Sequence, residues 1–250
     1  MKALVTGASS GIGYEIAKIL DAEGYEVIVT GRNMEMLQAL AAELKHPPRI
    51  IQADLSKREE CLRLFKEAGD VDVVINNAGA GVHGAFHETA LSDELSMLDI
   101  NITALHILTK LYYMKFREKK TGYLMNVASS AAFFPGPYFA SYYASKAYVL
   151  RLTQALWKEA RTEGLNIGIS VFCPGPVNTA FNAKAGVKAP LSGISAEKAA
   201  RSAIRGMLRK KRVITPGIGT TLSCMFSGLL PDRVALEIVA RIQRKKGAMN

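Results

Sequence analysis

Tyr143 and Lys146 lie three residues apart, and Ser130 precedes the tyrosine by thirteen. In a helical stretch, that spacing puts the phenol and the ammonium on one face. A tyrosine ordinarily keeps its proton to a pH of about 10. A cation held beside it favours the phenolate and brings the pKa towards working pH. Such a phenol can give a proton to a carbonyl oxygen or take one from an alcohol. Ser130 supplies a second hydrogen-bond donor for the same oxygen. A Y-x-x-K on a helix also recurs in unrelated chains, so the surrounding elements must carry the reading.

Lys2 to Thr6 reads as a buried strand running into Gly7-Ala8-Ser9-Ser10-Gly11-Ile12-Gly13, after which Ile12, Ile16, Ile19 and Leu20 mark a helix ending near Gly24. Strand, glycine-rich turn and helix together aim backbone N–H groups and a positive helix end at a pyrophosphate. Gly7 suits the tight turn, Gly11 the approach of phosphates and Gly13 close helix–strand packing. The spacing is G-x3-G-x-G, so the flanking strand and helix do most to identify it. After the second strand, Glu26 to Thr30, the position of a ribose-binding acid holds Gly31, followed by Arg32. A cation without the acid accepts a 2′-phosphate, which points to NADP(H) over NAD(H).

A helix from Met34 to Leu44, broken by His46-Pro47-Pro48, precedes a third strand from Arg49 to Ala53. At its carboxyl end, Asp54-Leu55 can touch an adenine ring, or Asp54 or Ser56 can cap the helix over 57–68. The fourth strand, Asp72 to Ile75, closes on Asn76-Asn77-Ala78-Gly79, a turn suited to close backbone approach. A long helix runs from Ser92 to Lys119 with Asn101 inside it. Asparagine is a poor interior helix residue, so it asks for a partner. The fifth strand, Gly122 to Val127, ends at Ser129-Ser130; a helix spans Ser141 to Arg161; and the sixth strand, Asn166 to Phe172, ends in Pro174-Gly175-Pro176-Val177-Asn178-Thr179. Six strand–helix alternations predict one α/β domain over residues 1–250, a Rossmann-like doubly wound parallel sheet flanked by helices.

The 250 residues are 49% hydrophobic and 22% charged, ordinary for a soluble globular chain. Three scattered cysteines, Cys61, Cys173 and Cys224, form no C-x-x-C pair and suggest neither a disulfide frame nor a zinc site. His83 and His87 stand four apart without a carboxylate-rich setting, so they read as loop or cap residues, and no metal is expected. The start is too short for a secretory signal and no apolar run reaches membrane-span length, giving a cytoplasmic expectation. Of the net charge of +10, residues 201–250 contribute +9 through 11 Lys/Arg against Asp232 and Glu237. That end is either a solvated helix face or a weak contact for anionic lipid. No motif favours nucleic acid.

With Thr6-Gly7-x3-Gly11-x-Gly13, Asn76-Asn77-Ala78-Gly79, Asn101, Ser130, Tyr143/Lys146 and Pro174-Gly175 in order, the chain resembles the short-chain dehydrogenase/reductase family over residues 2 to 180. The resemblance implies a hydride-transferring oxidoreductase acting on a carbonyl or secondary alcohol. It makes Tyr143 the acid/base, Ser130 the group positioning the substrate oxygen, Lys146 the ribose-binding residue and Asn101 the support of a proton relay. Ser129 is set aside because Ser130 keeps the family's spacing to Tyr143. Thr179 and the backbone at Val177 are implied at the carboxamide. A nicotinamide-binding regulator without turnover is the rival reading.

The C-terminal third departs from the family pattern and is similar to a ketoacyl-reductase-like branch. Arg209-Lys210-Lys211-Arg212 leads into a strand at Val213 to Gly217, an apolar stretch from Leu222 to Leu230, and a basic helix from Pro231 to Lys246 with Val234, Ile238 and Ile242 at helical spacing. This helical extension, over residues 216–250, replaces the glycine-rich segment used for tetramer packing, so the homo-oligomer expected is a dimer. Phe181 to Ser195 stands where the family keeps a substrate lid. Phe133, Phe134, Tyr138 and Phe139 suggest an apolar pocket wall and a small apolar substrate.

Overall fold

In β1 (Lys2–Thr6), successive side chains point to opposite faces of the sheet, and both faces are apolar. Ala3 and Val5 enter one core with Ile16, Leu20, Val27 and Val29, while Leu4 enters the other with Ile28, Val74 and Leu124. A strand buried on both faces needs helices above and below, and the chain supplies them in alternation. The computed structural model describes residues 1–187, 193–227 and 231–247.

In chain order, α1 (Gly11–Ala22), β2 (Glu26–Gly31), α2 (Met34–Glu43), β3 (Arg49–Gln52) and α3 (Arg58–Ala68) wind outward from β1 on one side. The chain then crosses to β4 (Val73–Asn76), and α4 (Leu91–Leu98), α5 (Leu105–Lys119), β5 (Thr121–Val127), α6 (Ala140–Thr162) and β6 (Asn166–Phe172) wind the other way. Two short strands, β7 (Val177–Asn178) and β8 (Ile194–Ser195), pair in parallel beside α7 (Ala180–Lys184). The chain closes with α8 (Ala196–Leu208), β9 (Val213–Ile214), α9 (Ile218–Phe226) and α10 (Asp232–Gly247).

The main sheet is seven-stranded and parallel, in the order β3-β2-β1-β4-β5-β6-β9. This is the doubly wound Rossmann-like architecture expected from the strand–helix alternation. The winding reverses between β1 and β4, and the crevice outside their carboxyl ends is where such sheets bind ligands. α1, α2 and α8 cover one face through Leu37, Leu40, Ala199, Ala203 and Met207. α3, α5 and α6 cover the other through Leu64, Leu108, Tyr112, Phe116 and Ala160.

The helix expected over 92–119 is continuous from Leu91 to Lys119, but its turn Asp99–Ala104 is a π-turn. The wider turn carries the buried Asn101, and π-turns recur where a helix serves a site. Of the expected lid, residues 188–192 lie outside the described residues, as do 228–230 of the apolar stretch. The described part of that stretch falls within α9, which exposes Ile218, Leu222, Met225 and Phe226. On α10, the regularly spaced Val234, Ile238 and Ile242 are exposed, and the buried face is Ala235, Val239 and Gln243. No helix among the described residues is long and apolar enough to cross a membrane.

Candidate active site

A cleft of about 520 Å³ opens at the carboxyl ends of β1, β4 and β5. Its floor is the β1–α1 turn. Gly7 has φ +65°, and a Cβ there would stand 2.8 Å from Ala78 Cα; a Cβ on Gly13 would come within 2.5 Å of Gly7 O. Only glycine lets the helix start so close to the strand. Gly7, Ser9, Ser10, Gly11 and Ile12 line the cleft, whereas Gly13 does not, its part being the packing beneath. Ser10 sits at the N-cap of α1 without a side-chain cap bond, leaving the helix's first N–H groups for an anion.

Thr6 ties this turn to the one after β4. Its hydroxyl accepts from the N–H groups of Asn77 and Ala78 at 2.9 and 3.0 Å, and Asn77 Nδ2 donates to Thr6 O at 2.9 Å. Asn77, Ala78 and Gly79 then face the cleft. At its far end lie Arg32, Asp54 and Leu55. Asp54 accepts from the Ser56 N–H and hydroxyl at 3.2 and 2.9 Å, and Lys57, not Asp54 or Ser56, is the N-cap of α3. Arg32 is exposed and joins a second hollow with Gln52, Glu60 and Arg63. Arg63 is held by Glu60 and Glu67, while Arg32 pairs with no carboxylate among the described residues. Pro174, Gly175, Val177 and Thr179 form the opposite wall.

At the other end, α6 presents Tyr142, Tyr143 and Lys146. Lys146 is buried, and its Nζ donates to Val127 O at 3.1 Å and lies 5.7 Å from the centre of the Tyr142 ring. Ser129 lies close enough to the Tyr142 phenol to favour its ionised form. The structure therefore joins Ser129, Tyr142 and Lys146, one residue earlier than the expected Ser130 and Tyr143. Both serine–tyrosine pairs are thirteen apart, and Tyr142 stands four before Lys146, so the same-face argument applies to it equally. Tyr143 instead accepts from Gln243 Nε2 of α10 at 2.6 Å, with its ring packed beneath Gly136. Ser130 lines the cleft, and its N–H donates to Pro174 O at 2.8 Å.

The expected lowering of the tyrosine pKa is corrected as well. Burial pushes Tyr142 up to about 12, with Ser129 opposing it through hydrogen bonding. Burial also raises Tyr143 and lowers Lys146 to about 8. Desolvation acts on both groups, and on Tyr142 it outweighs the opposing effect of Ser129. Tyr142 thus keeps its proton at neutral pH.

Asn101 lies behind the cleft, fully buried. Its Oδ1 accepts from Ala80 N–H at 2.9 Å, and its Nδ2 donates to Ala80 O and Ser145 Oγ, each at 3.0 Å. Ser145 donates in turn to Tyr142 O at 2.7 Å. The π-turn, the β4 loop and α6 are so locked together, and a methyl on Gly79 would stand 3.2 Å from both Asn101 Oδ1 and Lys146 Nζ. Of the expected aromatic wall only Phe139 lines the cleft, stacked on Tyr142 at 4.4 Å; Phe181 completes it. Gln243 and Lys246 also line the cleft. Nothing in the sequence of α10 marked them, because the stripe of Val234, Ile238 and Ile242 suggested a different buried face. No group of three or more His, Cys, Asp or Glu among the described residues could hold a metal.

A family model for short chain dehydrogenases matches residues 1–189, and the chain belongs to the short-chain dehydrogenase/reductase family of oxidoreductases. An uncharacterised oxidoreductase of Staphylococcus aureus is 36% identical over 186 residues, covering 72% of this chain and 80% of the relative. A short-chain dehydrogenase from Sphingobium yanoikuyae, solved with NADPH, superposes with a TM-score of 0.82 at 27% identity, over 91% of this chain and 94% of that one. A bulky-bulky ketone specific alcohol dehydrogenase from Comamonas testosteroni gives 0.77 at 27% identity, over 91% and 92%.

Proposed function

We propose that the protein is an NADP(H)-dependent oxidoreductase that interconverts an apolar ketone and its secondary alcohol. The observation that carries this reading is the meeting of Ser129, Tyr142 and Lys146 at one end of a cleft whose other end is a glycine cradle beneath an uncapped helix. The cradle fits a dinucleotide, because a methyl on Gly11 would stand 3.1 Å from the Thr179 side chain of the opposite wall and fill the approach. Gly11, Ile12 and Ser10 would meet the pyrophosphate, Arg32 a 2′-phosphate, Lys146 a ribose, and Val177 and Thr179 a carboxamide. The bound nicotinamide supplies or accepts the hydride.

In the reducing direction, the protonated Tyr142 hydroxyl gives its proton to the oxygen as negative charge develops there. Ser129 steadies that oxygen by hydrogen bonding. Lys146, held by Val127 O, places positive charge by the phenol and favours the phenolate left behind. Asn101 holds the loop and α6 in register and so positions Tyr142 through Ser145. The NADPH-bound and ketone-specific neighbours support both cofactor and substrate class.

NADPH oxidation by the purified protein against a panel of ketones tests this. Turnover of at least one class is expected, while NADPH binding without any turnover would favour a regulator. Arg32→Ala should raise the KM for NADPH about 10- to 100-fold, the range for losing a bond to a charged group, with little change for NADH. Equal effects on the two cofactors would remove Arg32 from phosphate binding.

The exposed apolar stripes of α9 and α10, with Arg233, Arg241, Arg244 and Lys245 beside them, support peripheral attachment to an anionic bilayer or self-association as a dimer. Sedimentation with anionic against neutral vesicles separates these. Recovery unchanged on both vesicle types would remove the lipid contact.

A further inference from the structure

The family model ends at residue 189, yet α10, more than forty residues on, reaches the active-site cleft. It is docked there by specific contacts. Gly247 packs on the His83 ring, whose centre lies 5.5 Å from that of Phe139, and the Arg244 guanidinium sits 5.8 Å over the Tyr138 ring. Gln243 is 2% exposed and gives one amide hydrogen to Tyr143 Oη. Its Oε1 is buried, in a residue that lines the cleft, and has no hydrogen-bond partner among the described residues. A buried acceptor left without a donor is costly, so the vacancy points to a ligand group.

One turn on, Lys246 lines the same cleft and is half-buried. The described ion pairs of α10 are Arg241 and Arg244 with Glu237, and none includes Lys246. Burial depresses its pKa with no anion to offset the effect. Among the described residues, those lining the cleft include the cations Arg32, Lys146, Lys184 and Lys246 against the single carboxylate of Asp54, which lies at the dinucleotide end. The same cleft has an apolar wall, to which Phe139, Phe181 and Val187 contribute.

We propose that α10 forms the specificity end of the substrate pocket, where Lys246 pairs with a carboxylate carried on the apolar body of the ketone and Gln243 Oε1 accepts a hydrogen bond from the ligand. The substrate class is then an oxo acid and its hydroxy acid. This rests on the oxidoreductase reading above and deepens it.

The probes are 4-acetylbenzoate and its methyl ester, equal in shape and different in charge. Each is titrated calorimetrically into the NADPH-loaded protein and also assayed for turnover. Wild type should bind the acid at least tenfold more tightly than the ester. Lys246→Met should weaken acid binding about 10- to 100-fold and bring the acid-to-ester ratio close to one, and Lys246→Arg should restore part of the preference. Gln243→Leu, which keeps Lys246, should preserve the acid-to-ester preference, because neither probe carries a hydrogen-bond donor for Oε1. No acid preference in wild type, absence of acid binding, or equal losses for both probes in Lys246→Met would overturn the proposal. Lys246-dependent acid binding without turnover would keep the pocket assignment and remove the oxidoreductase reading. Turnover indifferent to charge would do the reverse.

Discussion

Tyr142→Phe lowers kcat by about 10²- to 10⁴-fold, the range for losing a positioned proton donor, while the dissociation constant for NADPH stays within a factor of three. The neighbouring Tyr143→Phe keeps kcat within tenfold, since its hydroxyl serves as the acceptor for Gln243. Stopped-flow kinetics and fluorescence titration on the two variants check this contrast. The two tyrosines are adjacent in sequence and both line the cleft, but only Tyr142 is paired with Ser129 and lies over Lys146. If Tyr143→Phe proved inactive and Tyr142→Phe active, the proton donor would be the other residue.

The second large effect falls on stability. Beneath the site, Asn126 of β5 accepts from Asn76 Nδ2 at 2.9 Å and from Thr109 Oγ1 at 3.1 Å, and donates to Thr153 Oγ1 at 3.0 Å. Asn76, Thr109, Asn126 and Thr153 are all essentially buried and belong to β4, α5, β5 and α6. This polar cluster therefore links the two strands that end at the cleft to the two helices that carry Asn101's support and Tyr142. Asn126→Leu removes the shared acceptor of Asn76 Nδ2 and Thr109 Oγ1, leaving the buried Thr109 hydroxyl without an acceptor and Asn76 Nδ2 with only its 3.2 Å bond to Thr109 Oγ1. Unfolding free energy should fall by roughly 2–4 kcal/mol, from a cost of about 1–3 kcal/mol for each group left unpaired. For a chain of this size, that lowers Tm by roughly 5–15 °C. Calorimetry showing a change below about 1 kcal/mol would mean that the cluster contributes little.

The parts of the architecture that the sequence made readable are those where local chemistry and tertiary position agree. β6 was read at its observed bounds because Ile167, Ile169, Val171 and Phe172 recur in a short segment between two turns. The β1–α1 turn was legible because glycine is demanded twice, by the positive φ at Gly7 and by the contact of Gly13 with Gly7 O. Asn101 announced itself by being ill-suited to a helix, although the π-turn that accommodates it carries no sequence signature of its own. The acid/base pair was harder. Ser129-Ser130 and Tyr142-Tyr143 are doublets, so two frames share the thirteen-residue spacing, and helical periodicity accepts a lysine at either three or four residues. The positions of Lys146 over the Tyr142 ring and of Ser129 beside its phenol separate them.

The sense of the tyrosine's pKa shift was likewise hidden, since it depends on burial that pairwise spacing does not report. α10 is the clearest case. Its Val234, Ile238 and Ile242 recur as a core-facing stripe would, yet they face outward, and the buried face is the less apolar Ala235, Val239 and Gln243. The helix is oriented by what it docks against, namely Tyr143, His83 and Tyr138, all distant in sequence.

The most direct measurement of the central claim is isotope transfer. NADPH carrying deuterium at the transferable position of the nicotinamide ring is incubated with the protein and a ketone turned over in the panel, and the product alcohol is analysed by mass spectrometry. Hydride transfer in the Tyr142 cleft predicts one deuterium at the carbinol carbon, with the hydroxyl proton drawn from solvent through Tyr142. An alcohol without deuterium at that carbon, or one labelled there only when the solvent is deuterated, would contradict it.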